Sequence, residues 1–251
     1  MRKFRSGFTL VEVALFLAIT AVIFAGVAIG TQNSIFQQRY NDAVQNYVEF
    51  LRTLYSQVSN VQSESNGRSE KAIYGKLVTF GESNGENKIM TYNVIGDIEN
   101  METSDESVLG KLKDLGANVI INDDGNYKPV GFVDNYVPRW DSRIQTTSGW
   151  DNGYQLFSGA LLIVRSPSTG TIYTFVSDQI IDVDSVLSDD FSSKDPLADL
   201  NNKFSQQGVD FCINPNGVNK SNLRRDVRIV AGARNASGIE IVPDDDNRCE
   251  Q

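Results

Sequence analysis

Residues 1–30 read MRKFRSGFTLVEVALFLAITAVIFAGVAIG, and this stretch decides the architecture of the chain. The first seven positions carry Arg2, Lys3 and Arg5 and no acid, while residues 8–30 are apolar apart from Thr9, Glu12 and Thr20. At about 1.5 Å per residue, a helix over those positions spans roughly 34 Å, enough for a hydrocarbon core of about 30 Å. The basic cluster ahead of it holds the N-terminal end in the cytoplasm and places everything after residue 30 on the outer side. A secretory signal peptide has an apolar core of only about 7–15 residues before a small-x-small cleavage site. Gly26-Val27-Ala28 could serve as such a site, but this run is too long and contains a carboxylate. A plain signal anchor fits the length and leaves Glu12 unexplained.

An ionised carboxylate at bilayer depth costs on the order of a few kcal/mol, so it is paired, protonated or functional. One reading lets Glu12 snorkel to the interface and gain from the helix dipole. The other begins with a cut after Gly7. Phe8 then acquires a free α-amine one helical turn from Glu12, and in a helical stack of subunits the carboxylate can neutralise a neighbour's amine in a dry interior.

Gly7-Phe8-Thr9-Leu10-Val11-Glu12, behind a short basic leader and ahead of an unbroken apolar run, resembles the prepilin cleavage and methylation motif of type IV pilins and pseudopilins. The resemblance covers about the first thirty residues. It implies cleavage between Gly7 and Phe8, N-methylation of Phe8, and an assembly role for Glu12 as the fifth mature residue. Many pilins carry a helix-bending proline late in the apolar run; this chain has none there, leaving Gly26 and Gly30 as the positions that could soften the helix. Their GxxxG spacing is at most a packing aid in lipid.

Beyond residue 31 the composition turns polar while the helical pattern continues. Ile35, Phe36, Tyr40, Val44, Tyr47, Val48, Leu51, Leu54, Tyr55, Val58 and Val61 recur at intervals of three and four, with polar residues between. No proline or glycine interrupts residues 31–62, so one helix from Phe8 to about Gln62 is expected, roughly 82 Å long, ending at Ser63-Glu64-Ser65-Asn66-Gly67. A membrane anchor followed by a coiled-coil dimer would share the pattern; the large domain that follows offers the apolar face something to pack against.

Residues 63–251 form the expected extracellular head. Alternating and β-branched runs separated by turn signals indicate a largely antiparallel sheet. Three hairpins are expected: residues 71–81 with 88–95, 117–122 with 127–133 around Asp123-Asp124-Gly125-Asn126, and 156–165 with 171–176 around Ser166-Pro167-Ser168-Thr169-Gly170. Short strands are expected at Cys212, 227–230 and 239–242. Two helices are expected: one over 108–115, capped by Thr103 and Glu106 and stopped by Gly116, and one over 196–204 with Asp195 as its cap. The fold class is therefore α+β: a leader (1–7), a membrane or filament-core helix (8–30), its amphipathic continuation (31–62), and the head, with a C-terminal loop between Cys212 and Cys249.

These two cysteines are the only ones in the chain. On the exported side disulfides persist, so a bridge is expected. Closing that loop would stabilise the fold by roughly 3–4 kcal/mol on a chain-entropy account. A C-terminal disulfide loop also resembles the variable, surface-exposed region of many type IV pilins.

The chain has no histidine, which excludes a Ser-His-Asp triad, a Cys-His dyad, an HExxH zinc site and an imidazole shuttle. Its formal charge is −9; after residue 62 there are 29 acids against 18 bases, so the acidity belongs to the head and disfavours nonspecific nucleic-acid binding. Three acidic clusters could offer oxygens to calcium: Asp123 to Asn126, Asp182 and Asp184 with Asp189 and Asp190, and Asp244, Asp245, Asp246 and Asn247, the last being the best of them. None has EF-hand spacing, and solvated loop acids are the commoner outcome. Lys220, Arg224, Arg225 and Arg228 form the one concentrated basic segment of the head and could meet DNA phosphates, a neighbouring subunit or local acids. Trp140, Trp150, Tyr136 and Tyr154 could make a carbohydrate platform or belong to a core.

The resulting expectation is a non-enzymatic structural subunit, a minor pilin of a type IV pilus or related filament. It is made as a single-pass protein of the cytoplasmic (inner) membrane with its head outside, then carried into an extracellular pilus. No cofactor is expected, calcium aside. The resemblance implies other pilin subunits, a prepilin peptidase, a platform protein and an assembly ATPase as partners. The alternatives are a pseudopilin of a type II secretion-like system and a membrane-anchored extracellular binding protein or enzyme.

Overall fold

A computed structural model of the chain describes residues 9–60, 71–83, 86–97, 108, 120–123, 126–129, 132–146, 159–177, 205–214 and 225–243. Within these lie one long helix, α1 (Leu10–Ser59), and eleven strands. The strands are β1 (Lys71–Ser83), β2 (Glu86–Asp97), β3 (Ile120–Asp123), β4 (Asn126–Pro129), β5 (Phe132–Tyr136), β6 (Arg143–Thr146), β7 (Gly159–Arg165), β8 (Ile172–Ser177), β9 (Val209–Asn214), β10 (Arg225–Ile229) and β11 (Ile239–Pro243). The class is α+β, and every strand pairing among the described residues is antiparallel. The chain divides into two compact units, residues 1–42 and 43–251, a boundary that falls inside the amphipathic part of α1.

In the second unit α1 turns the expected face inward. Ala43, Val44, Tyr47, Val48, Leu51, Leu54, Tyr55 and Val58 are all buried, at the three-and-four spacing that puts them on one stripe. The stripe meets two sheets. A five-stranded sheet has the order β5-β2-β1-β7-β8, and a four-stranded sheet the order β11-β10-β9-β6; β3 and β4 pair alone. Tyr47 stands edge-on to Phe211 of β9, with centroids 5.6 Å apart, and Phe211 in turn lies 5.4 Å from Phe80 of β1. Phe50 stacks on Tyr136 of β5 at 4.4 Å, and the Tyr136 hydroxyl donates to Asn46 Oδ1 at 3.0 Å. At the other end of the stripe, Tyr55 and Thr174 share a hydrogen bond of 2.7 Å and Thr174 donates to the Ala233 carbonyl. The helix closes at its C-terminus where Arg165 Nη1 donates to the Ser59 carbonyl at 3.0 Å, supplying a partner to one of the orphan carbonyls of the last turn. The core is therefore a seam: one helix face holding two sheets together through aromatic rings.

Two tyrosines of this seam carry opposite predictions. The Tyr47 hydroxyl is buried with no partner among the described residues, whereas that of Tyr55 sits in the Thr174 chain; burial pushes the Tyr47 hydroxyl well up and that of Tyr55 up to about 12. An unsatisfied buried hydroxyl costs about 1–3 kcal/mol and a satisfied one contributes about 1 kcal/mol. Tyr47→Phe is therefore expected to raise the urea midpoint of the full-length protein and Tyr55→Phe to lower it, both read in the same detergent.

Hairpins β1/β2 and β7/β8 form where expected, with differences at their ends. β1 and β2 run on to the pair Ser83↔Glu86, so Glu82, Ser83 and Glu86 belong to strands and not to the turn. β7 is described from Gly159, so residues 156–158 of the expected strand lie outside the described residues. The seventh strand reads GALLIVR and is buried at all but its last position, consistent with a sheet covered on both faces. Between Ile73 and Gly75 the β1 register shifts, and β1 comes so close to β7 that a Cβ on Gly75 would collide with the Ile163 carbonyl oxygen and Val164. Only glycine permits that approach. Ser205 pairs with Val176 on the outer edge of β8.

The middle hairpin is corrected. The stretch expected as one strand over 127–133 is two: β4 ends at Pro129 and pairs with β3, while β5 begins at Phe132 and joins the five-stranded sheet beside β2. Proline has no N–H to give a ladder, and Gly131 follows, so the run breaks where its hydrophobic pattern does not. Asp123 and Asn126 pair across the β3/β4 hairpin and are strand ends, not turn residues. Strand β6 was not expected; Arg143-Ile144-Gln145-Thr146 has one apolar residue and pairs only at the edge with β9. Of the three terminal strands, β9 contains Cys212 as expected, and β10 and β11 begin and end within two residues of 227–230 and 239–242. Of the two expected helices, residues 196–204 lie outside the described residues, as does all of 103–115 except Val108, which is helical.

Candidate functional site

The first unit presents an unusual surface. From Leu10 to Phe36 no described side chain of α1 is buried, including Leu10 at 85%, Phe16 at 67% and Phe24 at 74% exposure. Its apolar part is long and apolar enough to cross a membrane. An apolar face of this extent is one that a soluble protein covers with a partner or a lipid phase. The helix runs without interruption through Gly26 and Gly30, and neither glycine has a neighbour within contact of its missing Cβ.

Two threonine hydroxyls in this stretch are satisfied within the helix. Thr20 Oγ1 donates to the Phe16 and Leu17 carbonyls at 2.9 and 3.0 Å, and Thr31 Oγ1 to those of Val27 and Ala28, both at 3.0 Å. Internal satisfaction of every polar atom is what a hydrocarbon surrounding demands.

Glu12 sits in the first turn as the far half of a capping box. Its Oε2 accepts from the Thr9 N–H at 2.8 Å and from Thr9 Oγ1 at 2.9 Å, and its own N–H donates back to Thr9 Oγ1 at 3.3 Å. Thr-x-x-Glu just before an apolar run is the sequence signature of that box, present at Thr9 and Glu12 and additional to the charge role expected for Glu12. Glu12 thus has a local role in starting the helix, beside the positive end of the helix dipole. Gly7 and Phe8 lie outside the described residues.

Other candidates resolve as follows. Arg228 of β10 makes a two-pronged bond to Asp210 of β9, Nε to Oδ1 at 2.6 Å and Nη2 to Oδ2 at 3.0 Å, with Glu240 of β11 opposite it on the other side. Of the basic segment, then, Arg228 is paired with local acid and Arg225 is half-buried in β10; Lys220 and Arg224 lie outside the described residues. The guanidinium gains from Asp210 and its pKa is raised further. Tyr136 is committed to packing against α1, while Trp140 is 51% exposed in a left-handed turn at φ 58°. Trp150 and Tyr154 lie outside the described residues.

Cys212 is buried in β9 and disulfide-bonded. Cys249 lies outside the described residues, as do Asp182, Asp184, Asp189, Asp190, Asp244, Asp245, Asp246 and Asn247. Among the described residues no group of three acids or cysteines is placed to hold a metal ion. Comparison with protein-family models, with curated proteins and with solved structures finds no match in any of the three.

Proposed function

We propose that the chain is a structural subunit of a type IV pilus or related filament, made as a prepilin and assembled through its N-terminal helix. The observation that carries the reading is a helix with apolar side chains exposed on every side from Leu10 to Ile29 and one carboxylate, Glu12, in its first turn. Such a surface has two suitable surroundings, lipid before assembly and the helices of other copies after it. A prepilin peptidase cuts between Gly7 and Phe8 and the new amine of Phe8 is methylated. Glu12 then neutralises the amine of a neighbouring subunit in the dry filament core, and apolar helix packing supplies cohesion.

The protein starts as a single-pass protein of the cytoplasmic membrane with its head outside. A platform protein and an assembly ATPase move it into the filament as a minor subunit. The head carries no catalysis; it sets surface properties, and its Cys212 pairs with Cys249, the one other cysteine of the chain. The intact mass and N-terminal sequence of the protein from its native host test the reading. A start at N-methylated Phe8 is expected. A start at Met1 or at Ile29 would overturn it in favour of an anchored or a secreted domain.

A further inference from the structure

The central strand of the five-stranded sheet carries a lysine where a hydrophobic residue is usual. Lys76 of β1 is 4% exposed, between Tyr74 and Val78 on its own strand, directly opposite Asn93 of β2 on one side and Ile163 of β7 on the other. With Thr174, which pairs with Ile163, these residues form one row across four strands, on the face of the sheet where Tyr55 meets Thr174. Lys76 Nζ lies 2.5 Å from Asn93 Oδ1. Among the described residues that amide oxygen is the one acceptor its amine meets, and no carboxylate is bonded to it. A buried ammonium facing a single neutral amide is poorly compensated, since such ions are ordinarily paired with an opposite charge or neutralised.

We propose that Lys76 and Asn93 are joined by an intramolecular isopeptide bond. The free amine of Lys76 attacks Cγ of Asn93; the Nζ–Cγ bond forms, the Cγ–Nδ2 bond breaks, and Nδ2 leaves as ammonia with the proton that Nζ sheds. The atoms balance with no oxidant, reductant or other reactant. A carbonyl bond is about 1.23 Å long, so Nζ lies no more than about 3.7 Å from Cγ, close to the separation of reacting groups in a near-attack arrangement. Packing of the two strands holds the pair together, which replaces an encounter by a unimolecular step. Burial lowers the pKa of Lys76 and so favours the uncharged, nucleophilic amine. Thr91, two residues before Asn93 on the same face, has a buried hydroxyl with no partner among the described residues. The product replaces a buried cation by a neutral amide and fastens β1 to β2 beneath the helix.

Mass spectrometry of the folded full-length protein, reduced and digested with trypsin, tests this. The acylated Lys76 is not a trypsin site, so residues 72–88 are expected to appear joined to residues 89–111, at the summed mass less one ammonia. Lys76→Arg is expected to separate the two peptides. Free peptides 72–76, 77–88 and 89–111 from the wild-type protein would overturn the proposal. So would an ammonia deficit that maps to a succinimide at an Asn-Gly pair such as Asn84-Gly85, or one that persists in Lys76→Arg.

Discussion

Glu12→Ala is expected to reduce incorporation into filaments by on the order of 10²- to 10³-fold while cleavage after Gly7 continues. Under the proposed function, the substitution leaves the Phe8 amine of a neighbour charged and unpaired in a dry helix bundle. Removing one partner of a buried ion pair costs about 3–5 kcal/mol, and each 1.4 kcal/mol is about tenfold in an equilibrium. The same side chain also caps the helix through Thr9, a contribution of about 1 kcal/mol. Glu12→Gln separates the two roles, because its amide oxygen can still accept from Thr9 but carries no charge. Both variants are expected to be processed normally, with Glu12→Gln nearly as defective in assembly as Glu12→Ala. The readout is the fraction of subunit in sheared filaments against the fraction in membranes, with N-terminal sequencing of each. Wild-type incorporation of Glu12→Gln would assign Glu12 to the cap alone, and wild-type incorporation of Glu12→Ala would refute the pairing.

The largest effect on the head is expected from Phe211→Ala, a loss of about 3–5 kcal/mol in unfolding free energy. Phe211 is fully buried and is the ring through which the four-stranded sheet touches both Tyr47 of α1 and Phe80 of β1. Its neighbours across the sheet are Val227 and Thr146. Tyr47, Phe80 and Val227 around it are themselves buried and packed, so the cavity persists and adds to the lost transfer energy. Chemical denaturation of the full-length protein in detergent measures it. A loss below about 1 kcal/mol would mean that the sheets are held by contacts other than this ring, since aromatic truncation at a packed centre costs several times more.

The three-and-four spacing of Tyr47, Val48, Leu51, Leu54, Tyr55 and Val58 identifies the buried stripe of α1 by itself, because a helix repeats its face every 3.6 residues whatever it packs against. The hairpins with long alternating arms were legible for the same local reason. The 127–133 stretch failed because hydrophobic pattern and backbone chemistry disagree there, and Pro129 with Gly131 prevailed. Strand β6 was silent because an edge strand with one apolar residue, the buried Ile144, owes its existence to the partner β9 and has no pattern of its own. The cap at Thr9 and Glu12 is written in the sequence as Thr-x-x-Glu, a hydrogen-bond pattern that the charge of Glu12 alone does not reveal.

The amino-acid sequence by itself determined the two ends of the molecule: an apolar helix behind a basic N-terminal stretch, carrying one carboxylate, and an α+β head without histidine. These depend on composition and on periodicities of a few residues, which local sterics and solvation set. The tertiary structure decided which sheets the stripe joins, that Arg228 is spent on Asp210, that the Tyr47 hydroxyl is buried with no hydrogen-bond partner among the described residues, and that Lys76 faces Asn93 across a central pair of strands. Those juxtapositions come from strand order and register. Register is fixed by the burial of whole faces and not by any one residue, so the meeting of residues 76 and 93 becomes visible only once the sheet is assembled.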